Sequence, residues 1–390
     1  MKIILKSAKY INLLMVLLLP SLSGIFSCKP AYLNKIISEE TNNQITTAFR
    51  DYLRNGFQQV SLPDSLVLVK EEDLRGLPYH SLLSYSGKLM FITHNGYLYF
   101  MDHDDFDDIR KSSLADGITA APSIFENLMF IPVSKGKKGL LAYDLMTGDT
   151  KWEASGRFSQ STPVIYDTLV IHASLDGNIA AFGIQSGKKL WENQLGDKIV
   201  NSLTLAESNV IVASQNGIIR SYGAISGSLN WSLTLKESVY ATPVANSKYV
   251  YICTYSGKIV SINIKTGNRH KEINTKNEIL LSPVMDNSHL YIAQASGTIA
   301  SYSIPDLKIT WAKTLDGPYS STPLLTLKDI FLATTSKHFY RLKKETGEII
   351  MNKELEGRVR TQPVVYQNKL YIGYEPDYIA VFSEPGLSDD

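Results

Sequence analysis

Several things are scarce in this chain of 390 residues, and each shortage removes a class of protein. It has only two cysteines, Cys28 and Cys253, too few for a disulfide framework or a four-cysteine zinc site. Basic and acidic residues nearly cancel, 39 Lys and Arg against 38 Asp and Glu, so the basic excess that marks most nucleic-acid binders is missing. The apolar run from Ile11 to Leu19 stops far short of the roughly 20 residues a membrane-spanning helix needs. The seven histidines are scattered, with no His-x3-His or Cys-x2-Cys pair to suggest a metal site. No Gly-x-Ser-x-Gly elbow and no phosphate-cradling glycine loop occurs. Tryptophan is sparse, four against 22 tyrosines.

What the N-terminus does have is an address. Lys2, Lys6 and Lys9 precede the short apolar run, and Ser21, Ser23 and Gly24 follow it. Ile25-Phe26-Ser27-Cys28 resembles the lipobox of bacterial lipoproteins, which implies cleavage after residue 27 and acylation of Cys28. Removing residues 1–27 leaves 36 basic against 38 acidic residues, a net of −2. Lys29 is not the Asp that signals inner-membrane retention in many such proteins, so a periplasm-facing outer-membrane position is expected. Cys253, inside the apolar stretch Val250–Cys253, reads as a buried, inert thiol.

A forty-residue period organises the remainder. Ser161-Thr162-Pro163-Val164 recurs as Ala241-Thr242-Pro243-Val244, Leu281-Ser282-Pro283-Val284, Ser321-Thr322-Pro323-Leu324 and Thr361-Gln362-Pro363-Val364. With Leu82, Pro122 and Leu203, these give eight anchors at 82, 122, 163, 203, 243, 283, 323 and 363. Fourteen residues on stand Gly96, Gly136, Gly177, Gly217, Gly257 and Gly297, the column breaking only at Lys337 and Asp377. All four tryptophans, Trp152, Trp191, Trp231 and Trp311, fall in one column, Lys271 and Met351 filling other slots. Within a unit the apolar pattern has period two, with glycine turns between runs such as Leu169-Val170-Ile171 and Ile179-Ala180-Ala181-Phe182. Four short strands every 40 residues is the arithmetic of a propeller blade. An all-β, eight-bladed β-propeller is therefore expected.

The eighth unit lacks its last strand, and Ser65–Lys70 is expected to supply it and close the ring. Ile45, Phe49, Tyr52 and Leu53 have helical spacing, which predicts a short amphipathic helix over Glu39–Leu53. The expected organisation is a signal peptide at 1–27, a lipidated tether with the helix at 28–57, and the propeller at 58–390.

Ala142-Tyr143-Asp144-Leu145-Met146-Thr147-Gly148-Asp149-Thr150-Lys151-Trp152 matches the tryptophan-docking motif of pyrroloquinoline-quinone-type repeats, with weaker copies ending at Trp191, Trp231 and Trp311. A small residue and a glycine, Gly148, Gly187 or Gly227, leave backbone on which an indole can lie, sealing one blade to the next. Trp191→Ala is expected to cost about 3–5 kcal/mol if the ring is buried. As a whole the chain resembles the BamB-like family, the propeller lipoproteins of the outer-membrane β-barrel assembly machinery, from Leu82 to Phe382 plus the lipobox. That resemblance implies a non-enzymatic periplasmic lipoprotein scaffold that binds partner proteins, the barrel-inserting component of that machinery among them, and uses no cofactor.

Two other readings stand beside it: a pyrroloquinoline-quinone-dependent dehydrogenase or its inactive relative, and an envelope sensor or carbohydrate-binding propeller. Resemblance to the quinone enzymes implies a calcium ion held by Glu, Asn and Asp and a pair of adjacent cysteines, and no such cysteine pair exists here. The acidic stretch Asp102–Asp108 reads as a solvated hairpin; the alternative is a weak cation clasp at Asp102, Asp104 and Asp105.

Overall fold

The computed structural model describes residues 45–386 apart from 49–50, 75, 79, 103–108, 115–116, 119, 134–137 and 157. Cys28, Asp104 and Asp105 lie outside the described residues.

The period-two pattern folds as expected, into eight four-stranded antiparallel sheets that form a propeller. Blade 3 is representative: Val164–Tyr166, Leu169–Ala173, Asn178–Gly183 and Lys189–Gln194 pair in chain order. The second strand is buried throughout, whereas the fourth is exposed apart from Trp191 and Asn193, which are partly buried. Middle strands are covered on both faces by neighbouring blades, so both faces are apolar and the run reads Leu-Val-Ile without alternation. Between blades 4 and 5, for example, Ile211, Ala213 and Ile219 pack on Val250, Ile252 and Val260.

The outer strand carries a device that its composition hides. In blades 2 to 7 the register slips at one extra residue, Lys151, Leu190, Asn230, His270, Thr310 or Ile350, just before the tryptophan column. Such a bulge sharpens the local twist and re-aims the next side chain. Trp152, Trp191, Trp231 and Trp311 lie on Gly187, Gly227, Gly267 and Gly347 of the following blade. A Cβ on any of these glycines would stand 2.6–2.7 Å from the indole, and each has φ between +65° and +72°. Close approach and left-handed backbone thus both demand glycine. Each indole N–H donates to a carbonyl of the same following blade: Ile184 (2.8 Å), Ala224 (3.0 Å), Ile264 (2.6 Å) and Lys344 (3.0 Å). Gly148 makes the same turn at φ +72°, but blade 1, which precedes it, has no tryptophan to lie on it.

Trp231 is 8 % exposed, whereas Trp191 is only half-buried. Trp231→Ala is therefore the substitution expected to lower stability by about 3–5 kcal/mol in urea denaturation, with Trp191→Ala costing less.

One residue breaks the core pattern. His172 stands where the other units have Val212, Ile252, Ile292, Leu332 and Ile372. It is 6 % exposed and borders a small cavity of about 40 Å³ between blades 2 and 3. Burial pushes its imidazole down to about 4, the nearby Gly139 backbone opposing the shift, and both ring nitrogens are without a hydrogen-bond partner. In the unfolded chain His172 takes a proton below about 6.5, but in the folded chain only near 4. Stability is therefore lost as pH falls from about 6.5 to 4, by on the order of 2–3 kcal/mol from this residue. His172→Leu is expected to flatten that acid limb in denaturation curves taken across the interval, leaving stability at pH 8 nearly unchanged.

Closure follows the expectation from Ser65–Lys70. Val67–Asp73 pairs antiparallel with Tyr378–Ser383 and becomes the outer strand of blade 8. At the inner edge, His80–Ser81 pairs in parallel with Thr361–Gln362, joining blade 1 to blade 8.

The helix expected over Glu39–Leu53 meets a different outcome. Residues 39–44, 49 and 50 lie outside the described residues, and the rest of the span contains no helix. Ile45 bridges Ser84 and Thr47 bridges Ser123 instead. The apolar side chains at helical spacing pack separately: Ile45 into the core shared by blades 1, 2 and 8, Leu53 against the core between blades 4 and 5.

Candidate functional site: the central cup

Residues 45–48 and 51–58 form a strap that follows the inner strands from blade to blade round the ring. In seven of the eight repeats it bonds at the same position, two residues past the anchor. Ser84, Ile124, Leu205, Ala245, Met285 and Leu325 donate their backbone N–H to carbonyls of Ile45, Thr46, Tyr52, Leu53, Asn55 and Gly56, at 2.7–3.0 Å. In blade 8, Val365 N–H donates to Gln58 Oε1 at 2.8 Å. Inner strands face no further strand, so these N–H groups need acceptors, and the strap supplies them.

Blade 3 is met by a side chain. Arg54 is fully buried. Its Nε donates to Leu203 O (2.8 Å), one terminal nitrogen to Thr47 Oγ1 and Ala48 O (both 2.9 Å), and the other to Thr162 O and Pro163 O (both 3.2 Å). Burial lowers the guanidinium to about 10, with Tyr52 and Asp51 opposing the shift, so it remains charged at neutral pH. The strap leaves the centre along blade 7. Arg341, buried and paired with Asp329 at 2.7 Å, donates there to Pro63 O (2.6 Å) and Asp64 O (3.1 Å).

The strap lies two residues past the anchors; one to three residues before them lies a cup of about 410 Å³. Ala48 of the strap is part of its lining. The wall includes the residues just before the anchors, among them Thr162, Ser202 and Thr242. Their hydroxyls staple blade to blade: Thr162 N–H donates to Ser202 Oγ (3.2 Å), Ser202 N–H to Thr242 Oγ1 (3.1 Å) and Thr242 N–H to Ser282 Oγ (2.9 Å). This accounts for the Ser/Thr-Pro signature. Gln160, Val200, Tyr240, Ser320 and Arg360 share one slot of the repeat, at forty-residue steps with the 280 slot missing.

Among the described residues that line the cup, Arg360 alone is charged. Its Nε and a terminal nitrogen donate to Glu375 Oε1 at 2.8 and 2.6 Å, and Arg358 holds the same carboxylate. Burial raises the Glu375 carboxyl, but the hydrogen bonds and charges of the two arginines outweigh it and hold it below the ordinary carboxylate range. Large apolar or aromatic side chains are exposed at Phe158 (56 %), Leu280 (47 %) and the cup-lining Tyr240 (36 %). Tyr240 meets Tyr255 edge-on, with ring centres 5.7 Å apart.

The residues singled out from sequence fall elsewhere. The tryptophan column sits on the outer strands, away from the cup. Asp102 ends the strand Tyr97–Asp102 and pairs with Lys88. No cluster of three His, Cys, Asp or Glu able to hold a metal occurs among the described residues. Cys253 is buried, and burial pushes its thiol well above the usual range. The cup residues escape sequence reasoning because their column mixes Gln, Val, Tyr, Ser and Arg; position in the repeat is the only signal.

The quinone-calcium group that resemblance to the dehydrogenases implies does not fit this cup. A hard cation wants carboxylate oxygens, and the described lining offers none.

Comparison with known proteins agrees with this geometry. A family model described as outer membrane protein assembly factor BamB matches residues 101–285 and 272–381. Among solved structures, BamB from Moraxella catarrhalis superposes with a TM-score of 0.69 at 18% identity, covering 84% of this chain and 100% of that one. A europium-containing methanol dehydrogenase gives 0.75 at 10% identity, covering 90% and 100%. Quinohemoprotein alcohol dehydrogenase from Comamonas testosteroni gives 0.74 at 10%, covering 89% and 82%. At these identities the likeness speaks for the fold alone. No curated protein matches the sequence.

Proposed function

Because this chain belongs to the family of the outer membrane protein assembly factor BamB, we propose that it is a non-enzymatic scaffold that presents its propeller loops to proteins of outer-membrane assembly. The observation that carries this reading is the family match over residues 101–285 and 272–381, and exposed large side chains such as Phe158, Tyr240 and Leu280 are available to a partner. Aromatic and aliphatic side chains held on a rigid frame are the usual anchors of protein interfaces. The reading includes a signal peptide at 1–27, acylation of Cys28, and a periplasm-facing place at the outer membrane. Two or three acyl chains on one cysteine would hold the protein firmly, where one alone binds marginally.

Photo-crosslinking from positions 158, 240 and 280 in native membranes tests it. Recovery of barrel-assembly proteins, the barrel-inserting component first, is the expected result. Recovery of sugar-uptake or signalling proteins instead would overturn the scaffold reading. The second reading, a quinone-dependent dehydrogenase, draws on the structural likeness to two such enzymes. It is weakened by the carboxylate-free lining, and titration with the quinone and calcium is expected to give no absorbance shift.

A further inference from the structure

We propose that the outer edge of blade 4, Leu229–Thr234, is a docking site for an extended, uncharged polypeptide segment that joins the blade as a further strand. This goes beyond the scaffold reading, which concerns the propeller loops, and does not depend on it.

Charge sets this edge apart. Each blade ends in an outer strand with one side unpaired by any strand of the ring. Such an edge is a template for another chain, and charged side chains are its usual protection. Seven of the eight edges carry them, for example Arg110 and Lys111 in blade 1, Lys189 and Glu192 in blade 3, and Lys308 and Lys313 in blade 6. Leu229-Asn230-Trp231-Ser232-Leu233-Thr234 has none. The bulge occurs in blades 2 to 7 alike, so these edges differ in charge rather than in shape. Arg269 of blade 5 reaches Thr234 O at 3.3 Å, at the far end of the strand, which leaves 229–233 for a partner.

Apolar surface collects at the other end of the same edge. Leu190, Ile225 and Leu229 are each more than half exposed. The cross-strand partner of Leu229 is Tyr222, which belongs to the core between blades 3 and 4, so Leu229 faces that seam. Ile225 lies between the two points of blade 4 that Trp191 touches, Ala224 O and Gly227, and Leu190 precedes Trp191 in the chain. In the seam between blades 2 and 3 the residues in these two slots, Lys151 and Gln185, are hydrogen-bonded to each other. Beside Trp231 and Trp311 the slots hold Asn230 with Lys265 and Thr310 with Glu345. Of the four tryptophan seams, only the one that adjoins the uncharged edge puts two aliphatic side chains there.

Geometry selects the occupant. Six strand residues span about 20 Å, and they stand on the convex rim of the ring. Two folded copies meeting rim to rim would touch along little more than that line, short of the roughly 800 Å² per partner of a stable interface. An extended segment needs only the backbone ladder and a place for alternate side chains. A charged segment would find no counter-charge along the strand. Apolar side chains at alternate positions would lie beside Leu229 on one face, or beside Trp231 and Leu233 on the other.

The test is fluorescence anisotropy on the full chain with a labelled, terminally blocked peptide of about eight residues, valine alternating with serine. Saturable binding is expected, weakened about tenfold or more when prolines replace the serines, because proline cannot donate to a ladder. Amide exchange should slow across 229–234 on saturation and at no other outer strand. Leu229→Lys combined with Ser232→Glu installs the charges that Lys189 and Glu192 hold in the same slots of blade 3. The melting temperature should therefore hold while peptide binding weakens about tenfold. No saturable binding, equal affinity for the proline peptide, slowed exchange at a different edge, or parental affinity in the double variant would each overturn the proposal. So would slowed exchange at 229–234 in a dimer of the chain without peptide, which would make a second copy the occupant. Crosslinking from positions 158, 240 and 280 tests the scaffold reading separately, so either can fail without the other.

Discussion

Replacing Arg54 by alanine should lower stability by about 3–5 kcal/mol. The substitution strips donors from Leu203 O, Ala48 O, Thr162 O, Pro163 O and Thr47 Oγ1, all within a fully buried site. Carbonyls left unpaired where water cannot reach lose their whole desolvation cost. Lysine should recover only part of the loss. Its ammonium is a point charge with three donors, and the five acceptors are spread around a planar fork that only guanidinium matches. Urea denaturation measures the loss. A second readout is local: with Arg54 gone, residues 45–58 should become protease-sensitive before the blades do. A midpoint unchanged in Arg54→Ala would mean that the strap is held by its backbone bonds alone.

Deleting residues 58–72 should have a larger effect, replacing cooperative unfolding with aggregation. The deletion removes most of Val67–Asp73 and so bares the edge Tyr378–Ser383. An unpaired edge strand is a template for other chains. It also removes Val60, Leu62, Leu66 and Leu68 from the core shared by blades 7 and 8, and unseats Gln58 from Val365. Size-exclusion chromatography and thermal melting report the outcome. A monomer with an unchanged melting curve would show that the ring closes without its N-terminal strand.

The propeller was legible because its determinants are local and repeated. Pro163, Gly177, Gly187 and Trp191 each serve a turn or a contact within one unit or with the next, and the same need recurs every 40 residues. Gly257 shows the physical cause. It turns a hairpin at φ +93°, and a Cβ there would stand 2.4 Å from Asn277 O. Lys337 takes the slot at φ +68° without glycine, so the column is a strong preference rather than a rule.

The strap was not legible, and its spacing misled. Ile45, Tyr52 and Leu53 have the intervals of a helix face, yet their partners are Ser84, Leu205 and Ala245, each in a different blade. A segment whose hydrogen bonds go to residues 39 to more than 300 positions away leaves no periodic trace in its own sequence. The cup shares that difficulty. Tyr240, Ser320 and Arg360 converge because eight similar units close a ring, and nothing in their residue types announces it.

The sequence by itself determined the number of blades, their strand order and the source of the closing strand, because each rests on short-range sterics and alternation repeated many times. Only the tertiary structure decided that the N-terminal segment links the inner strands of the blades, that Arg54 is buried among them, and that a cup with Arg360 as the one charge of its described lining stands beside it. Those features come from the meeting of distant residues at the ring's centre, where geometry rather than local pattern fixes each partner.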